Sequence, residues 1–191
     1  MNLLKTIFLA VLTFLSVSAF PQNDSKKNME KKNVLVVYFS AMGTTKRVAE
    51  KLANLADADI CEIIPINPYT NADLNWHNSQ SRSSVEMNDP QSRPEIKAIG
   101  IDVSKYDCIF LGYPIWWDLA PRAVNTFIES SDLAGKTIIP FVTSGSSSIA
   151  GSVAALKKSY PKVKWQTGRL LNHASVEEIK IWLNKIGISP L

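Results

Sequence analysis

Tyr38-Phe-Ser-Ala-Met-Gly-Thr-Thr45 is the stretch that decides how this chain is read. An apolar run, Val34-Leu-Val-Val-Tyr-Phe39, enters it as a strand. An amphipathic helix leaves it near Thr44, with Val48, Leu52 and Leu55 on one face. The junction therefore sets Ser40, Thr44 and Thr45 beside the unpaired N–H groups of a helix N-terminus, where the helix dipole favours an anion. Gly43 lacks the Cβ that would hold an anion away from the backbone. Neither the spacing of the triphosphate loop, G-x-x-x-x-G-K-[ST], nor G-x-G-x-x-G is present, so a monophosphate held by hydroxyls and amides is the expected ligand. The bland alternative is a helix cap with no ligand at all.

Outward from this turn, strand and helix signals alternate. Strands are expected at Ala58–Ile64, Asp107–Tyr113, Lys136–Thr143 and Val163–Leu171. Helices are expected at Thr44–Ala56, at Pro121–Ser130 with Pro121 in the first turn, at Ile149–Tyr160, and after Ser175. Ser175 and Glu178 form a capping-box pattern before an apolar stripe of Ile179, Trp182, Leu183 and Ile186. Five short strands alternating with helices imply an α/β three-layer sandwich around a parallel sheet. In such sheets ligands sit beyond the carboxyl ends of the strands, where the strand order switches.

Two further loops fall at that edge. Gly112-Tyr-Pro-Ile-Trp-Trp117 follows the third strand, and two adjacent Trp in a loop read either as a flat wall for a planar ring or as a cover for the core edge. Thr143-Ser-Gly-Ser-Ser-Ser-Ile-Ala-Gly151 follows the fourth strand and offers small residues with N–H and hydroxyl donors. It is not the nucleophile elbow G-x-S-x-G, because Ile149 stands where the second Gly is required. A phosphate cradle, an aromatic wall and a small-residue loop at one sheet edge describe a site for a phosphorylated planar heterocycle.

The ends and the charge narrow the class. Residues 1–19 read as a secretory signal: Lys5 is their only charge, Ile7 to Val17 is apolar, and Val17-Ser-Ala19 is a small-residue cleavage site. The apolar core is too short to cross a bilayer, so stable membrane insertion after cleavage is not expected, and the periplasm is the expected destination. Residues 20–32 read as a disordered lead-in to a domain at 33–191. Cleavage lowers the formal net charge of +4 by one. The remaining Lys and Arg are dispersed, without a basic helix interleaved with aromatics, which argues against nucleic acid. If the sheet has the order 2-1-3-4-5, Cys61 and Cys108 fall on next-but-one strands, about 9–10 Å apart. That exceeds the Cα separation of about 7 Å that a disulfide tolerates, so free thiols are expected.

With these residues in hand, the chain from Val34 onward resembles the flavodoxin family. The likeness rests on Tyr38-Phe-Ser-Ala-Met-Gly-Thr-Thr-Lys46, on Gly112-Tyr-Pro-Ile-Trp-Trp117 with Pro121, and on Pro140-Phe-Val-Thr-Ser-Gly-Ser146. The resemblance implies a flavodoxin-like five-stranded sheet of order 2-1-3-4-5 and non-covalent FMN. Ser40, Met42, Gly43, Thr44 and Thr45 would hold the phosphate. Pro114, Ile115, Trp116 and Trp117 would line one side of the isoalloxazine, and Ser144 with Gly145 would approach its pyrimidine edge. Three departures stand out: Met42 where the family usually carries Thr, a sequence pI near 9.0 where electron-carrier flavodoxins are acidic, and the export signal.

The expected function is one-electron transfer through FMN, with a redox partner protein or a small-molecule acceptor. The alternatives are an FMN-dependent NAD(P)H reductase of quinones or similar acceptors, and a non-redox module for a phosphorylated aromatic ligand. The long irregular stretch from Pro65 to Pro94 carries Trp76, His77, Arg82, Glu86 and Arg93. It reads equally as a lid over the ring or as a surface excursion that packs Trp76 into a satellite core.

Overall fold

The apolar run Val34–Tyr38 forms β1 because every one of its side chains is buried between two layers of helix. The computed structural model describes residues 33–191, so the expected signal and lead-in lie outside the described residues. β1 pairs in parallel with β2 (Asp59–Glu62) on one side and β3 (Cys108–Pro114) on the other. β4 (Thr137–Thr143) and β5 (Lys164–Trp165) extend the sheet to the order β2-β1-β3-β4-β5 expected of the flavodoxin-like sandwich.

Alternation along β1 assigns the two faces. Val34, Val36 and Tyr38 pack with α1 (Thr44–Ala56) and α5 (Val176–Lys185), through Leu52, Ile179, Trp182 and Leu183. Leu35 and Val37 pack with α3 (Arg122–Ser130) and α4 (Ile149–Ser159), through Val124, Phe127 and Leu156. The capping box at Ser175 and Glu178 is present in both directions. β1 also separates the cysteines, with Val37 opposite Cys61 and Val34 opposite Cys108. Neither cysteine forms a disulfide among the described residues, and burial pushes the Cys61 thiol up to about 11.

Two expected boundaries shift. Pro121 stands one residue before α3 as its N-cap, with φ −56° and extended ψ, instead of inside the first turn. The single strand expected at Val163–Leu171 is two short strands, β5 and β6 (Arg169–Leu170), which both pair with β4. The break faces Pro140, which has no N–H to donate to a neighbouring strand. Gly168 passes so close that a Cβ there would lie 2.3 Å from the Pro140 carbonyl oxygen.

The stretch after β2 is not irregular throughout, because it contains α2 (Arg82–Asn88), capped by the Ser81 side chain. Its two ends are pinned together by an antiparallel bridge between Pro65 and Ile96, with the Ile66 N–H donating to the Glu95 carbonyl at 2.9 Å. Arg122, buried on α3, donates to the carbonyls of Glu86 and Met87 at 3.1 and 2.8 Å and so holds the end of α2. Arg93 grips Glu129 of α3 with two bonds of 2.8 Å. These bonds hold the Glu129 carboxyl below its ordinary 4.5. A depressed carboxyl adds stability above its unfolded pKa and loses it as pH falls through the folded value. Acidifying below about 4.5 is therefore expected to speed hydrogen exchange around residues 89–96 before the sheet opens, a result that exchange mass spectrometry reads directly.

Candidate functional site

Gly43 turns the chain out of β1 with φ 79°, a left-handed conformation that costs a residue with a Cβ about 1–2 kcal/mol. It serves as the N-cap of α1 and offers no side chain to the first-turn N–H groups, and no acidic residue occupies that turn. Beside it the Ser40 hydroxyl is buried with no hydrogen-bond partner among the described residues. An orphaned buried hydroxyl costs about 1–3 kcal/mol unless something else occupies the space it faces. Arg47 brings a guanidinium to the same turn, donating to Thr44 Oγ1 at 3.4 Å. Arg47 is not among the expected phosphate ligands, although its place one turn into the helix is a signal the sequence carries. Thr45 is already engaged, sharing a buried hydrogen bond of 2.8 Å with Thr143 of β4.

The loop after β3 does not build the flat double-Trp wall expected of it. Trp116 and Leu119 exchange two backbone hydrogen bonds of 3.0 and 2.9 Å, which closes a two-residue turn at Trp117 and Asp118. Both central residues have positive φ, 47° and 58°, the type I′ geometry normally given to Asn-Gly. A bulky aromatic held in that region is strained, and such strain concentrates at functional sites. The turn splits the pair. Trp116 lies edge-on to Phe39 at 5.6 Å and to Tyr69 at 5.3 Å, whereas Trp117 stays 44% exposed. Tyr69 comes from the segment between β2 and α2. Its hydroxyl bonds Glu86, which Arg82 also grips at 2.6 Å, and the Arg82 guanidinium lies 4.1 Å above the Tyr69 ring. Burial, then the Glu86 carboxylate, raise the Tyr69 phenol well above its usual range, so the knot holds at neutral pH.

The loop after β4 is held by Asn172, which follows the last strand. Ser144 N–H donates to Asn172 Oδ1 at 2.7 Å, and Asn172 Nδ2 donates back to the Ser144 carbonyl. Ser144 Oγ also accepts from Ser147 N–H at 2.8 Å. The Ser144 N–H is thus occupied within the protein, and Gly145 carries the exposed backbone of the loop.

All of the expected site residues except Gly43 line one cavity of about 730 Å³, within the range of small-molecule sites. The segment before β3 supplies Leu74, Trp76 and Ser83 to the same cavity, and Thr143 and Asn172 complete it. Nothing in the sequence marked Leu74, Ser83 or Asn172, because their proximity depends on the path of the chain. Trp76 is 67% exposed, which corrects the satellite-core reading. No charged side chain lines the cavity, and no cluster of metal-ligating residues occurs among the described residues. The residues fit FMN. The uncapped helix end, Ser40 and Arg47 suit the phosphate, and the apolar space along Pro114, Ile115 and Trp116 suits the ring.

The model of the flavodoxin family matches residues 33–186. The chain belongs to the flavodoxin family. The structure of a candidate flavoprotein from Bacteroides eggerthii is similar at 54% identity, covering 83% of this chain and 100% of that one, with a TM-score of 0.81. A second candidate flavoprotein, from Bacteroides uniformis, is 52% identical over 81% of this chain and 99% of that one, with a TM-score of 0.78. The fold is shared with a flavoprotein from Lactobacillus acidophilus solved in complex with FMN, at 21% identity, over 73% and 93% of the two chains, with a TM-score of 0.62. No curated protein matches the chain. In this flavodoxin-family site, then, the phosphate turn, the strained Trp117 turn and the Asn172-held loop meet at the carboxyl edge of the sheet. No helix among the described residues is long and apolar enough to cross a membrane.

Proposed function

We propose that this flavodoxin-family protein binds FMN and transfers electrons through it. The observation that carries the reading is the buried, unpartnered Ser40 hydroxyl at the uncapped start of α1, directly beside a ring-sized apolar cavity. Ser40, the N–H groups of residues 43–45 and Arg47 would hold the phosphate, with Arg47 adding the charge that the hydroxyls lack. Pro114, Ile115 and Trp116 would flank the ring, and Gly145 would approach its polar edge. Bound there, FMN supplies one-electron and two-electron redox chemistry, and the protein contributes position, dryness and electrostatics. The absence of cationic side chains from the lining favours electron delivery over reduction by a bound nicotinamide dinucleotide, whose phosphates would need partners.

The test is a titration of purified protein with FMN and with riboflavin, followed by flavin fluorescence. FMN is expected to bind with quenched fluorescence, and riboflavin, which lacks the phosphate, about a hundredfold more weakly, the equivalent of two charged hydrogen bonds. Equal affinities would remove the phosphate cradle. No binding of either would leave a non-redox module for another phosphorylated ring. Multiple turnovers of NAD(P)H by the FMN-loaded protein would make it a reductase instead.

A further inference from the structure

Charge is unevenly distributed along the chain. No Asp or Glu occurs between Asp132 and Glu177, and that stretch carries Lys136, Lys157, Lys158, Lys162, Lys164 and Arg169. These six cations exceed the formal net charge of +4, so the rest of the chain has a net charge of −2. The basic pI is therefore the property of one region. Two of the six are committed inside the fold. Lys136 Nζ donates to the carbonyls of Ser104 and Tyr106 at 3.0 and 2.7 Å, and Arg169 reaches Glu178 at 3.7 Å. Lys157, Lys158, Lys162 and Lys164 are exposed and form no ion pair or hydrogen bond among the described residues.

The fold gathers these four lysines at one end. Because β4 and β5 are parallel, α4 between them runs back to the end where the strands begin, and Lys157 and Lys158 occupy its last turn. Lys164 opens β5, opposite Thr137 at the start of β4. Lys162 lies in the turn between, where the Tyr160 carbonyl accepts Val163 N–H at 3.2 Å and Trp165 Nε1–H at 3.1 Å. Glu129, which Tyr160 also bonds, is already paired with Arg93. The cavity lies at the opposite, carboxyl edge, about 20 Å away along the seven residues of β4. Complementing the dipole of α4 accounts for Lys157 and Lys158, and guarding an edge strand accounts for Lys164. Neither role reaches Lys162 or explains why no acid balances the group.

From this arrangement we infer that Lys157, Lys158, Lys162 and Lys164 form a docking surface for an anionic lipid bilayer, which leaves the cavity facing the aqueous side. Clusters of this size suit anionic headgroups. The choice of Lys favours lipid over a protein or nucleic-acid partner. Macromolecular interfaces are poor in Lys and take phosphates and carboxylates in planar Arg forks, whereas Lys is a mobile point charge suited to a fluid surface. The chain ahead of Asn33 adds Lys26, Lys27, Lys31 and Lys32 against Asp24 and Glu30. It joins the domain at this same end, where Asn33 N–H donates to Asp107 at 3.2 Å. This surface is remote from the cavity and does not depend on what the cavity binds.

The test sediments the full chain with vesicles of phosphatidylcholine containing about 40% phosphatidylglycerol, and with vesicles of phosphatidylcholine alone. The wild type is expected to bind only the anionic vesicles, and to leave them as salt approaches about 1 M, where screening shortens to about 3 Å. Lys162→Gln with Lys164→Gln is expected to weaken binding about 25-fold, or about fivefold for each charge, with FMN affinity and the thermal midpoint unchanged. Replacing all four lysines is expected to weaken it at least a hundredfold. Lys162→Arg with Lys164→Arg, which keeps the charge, is expected to bind as the wild type does. Lys51→Gln with Lys97→Gln removes the same charge from exposed positions elsewhere and is expected to change binding less than about threefold. Equal losses in the two Gln pairs would reduce the effect to net charge and overturn the surface. Equal binding to phosphatidylcholine alone would assign attachment to the apolar residues 7–17 and overturn it too. So would a wild type that ignores both vesicles, and capture of polyglutamate by that protein, lost with the four lysines, would give the surface to an acidic protein instead.

Discussion

Gly112→Ala is expected to destabilise the fold by about 3 kcal/mol, at the upper end of ordinary overpacking. Gly112 sits on β3 opposite Phe141 of β4, and the Phe141 ring lies across it. A Cβ at 112 would be 2.1 Å from Phe141 Cζ and 2.6 Å from both Cε atoms. Phe141 is fully buried, so its ring cannot swing outward without opening the α1 and α5 layer. For a chain of this size the loss corresponds to a fall in thermal midpoint of about 9 °C. Function suffers through the same displacement, because the Gly112 carbonyl accepts the Phe39 N–H at 2.9 Å and so fixes the entrance to the phosphate turn. Phe141→Leu is expected to rescue part of the loss in the double variant, giving a favourable coupling of about 1 kcal/mol or more in denaturant midpoints. Strict additivity would show that Phe141 is not the obstacle.

Trp116→Ala and Trp117→Ala are expected to part company even though the residues are neighbours. Trp116 joins Phe39 and Tyr69 in three edge-on aromatic contacts, with centroids 5.3 to 5.8 Å apart. Its truncation removes a keystone between β1, the β3 loop and the segment that carries Tyr69. The apo protein is expected to lose about 3 kcal/mol, and FMN affinity a further 1–3 kcal/mol for the lost ring wall, by analogy with stacking on nucleic-acid bases. Trp117 is half exposed at the tip of a type I′ turn, and its side chain makes no ring contact or hydrogen bond among the described residues. Its truncation is expected to leave apo stability within about 0.5 kcal/mol while still weakening FMN. Urea midpoints of the apo proteins and FMN titrations of the same samples separate the two effects. Equal destabilisation by both variants would contradict the split that the turn imposes.

Much of the site was legible because its chemistry is local. A strand that runs into Ser40 to Thr45 and then into a helix fixes where the free N–H groups lie, whatever else the chain does. Capping at Ser175 and Glu178, spaced three apart, is likewise settled within one turn of helix. The split of the last strand was also latent in the sequence, at Pro140, but its effect falls on a partner more than twenty residues away and shows only once β4 and β5 are paired. Leu74 and Ser83 carried no local signal. A hydroxyl in a Ser-rich helix reads as solvated until Arg122 and the Tyr69 knot press that helix against the cavity.

The alternation of apolar strands and amphipathic helices, read from periods of 2 and 3.6, determined by itself the layered sheet and the edge at which a phosphate would bind. The side-chain arrangement around that edge was decided only by tertiary structure. Whether Trp116 packs edge-on against Phe39 and Tyr69 while Trp117 stays half exposed depends on two backbone hydrogen bonds between Trp116 and Leu119. Whether the Ser144 N–H is free depends on Asn172, and whether Ser83 meets a cavity depends on contacts with α3. Local pattern specifies which surface of an element is apolar, whereas a binding site is made by elements distant in sequence. Their separations are set by the packing of the whole domain, in which a fraction of an ångström separates a contact from a clash.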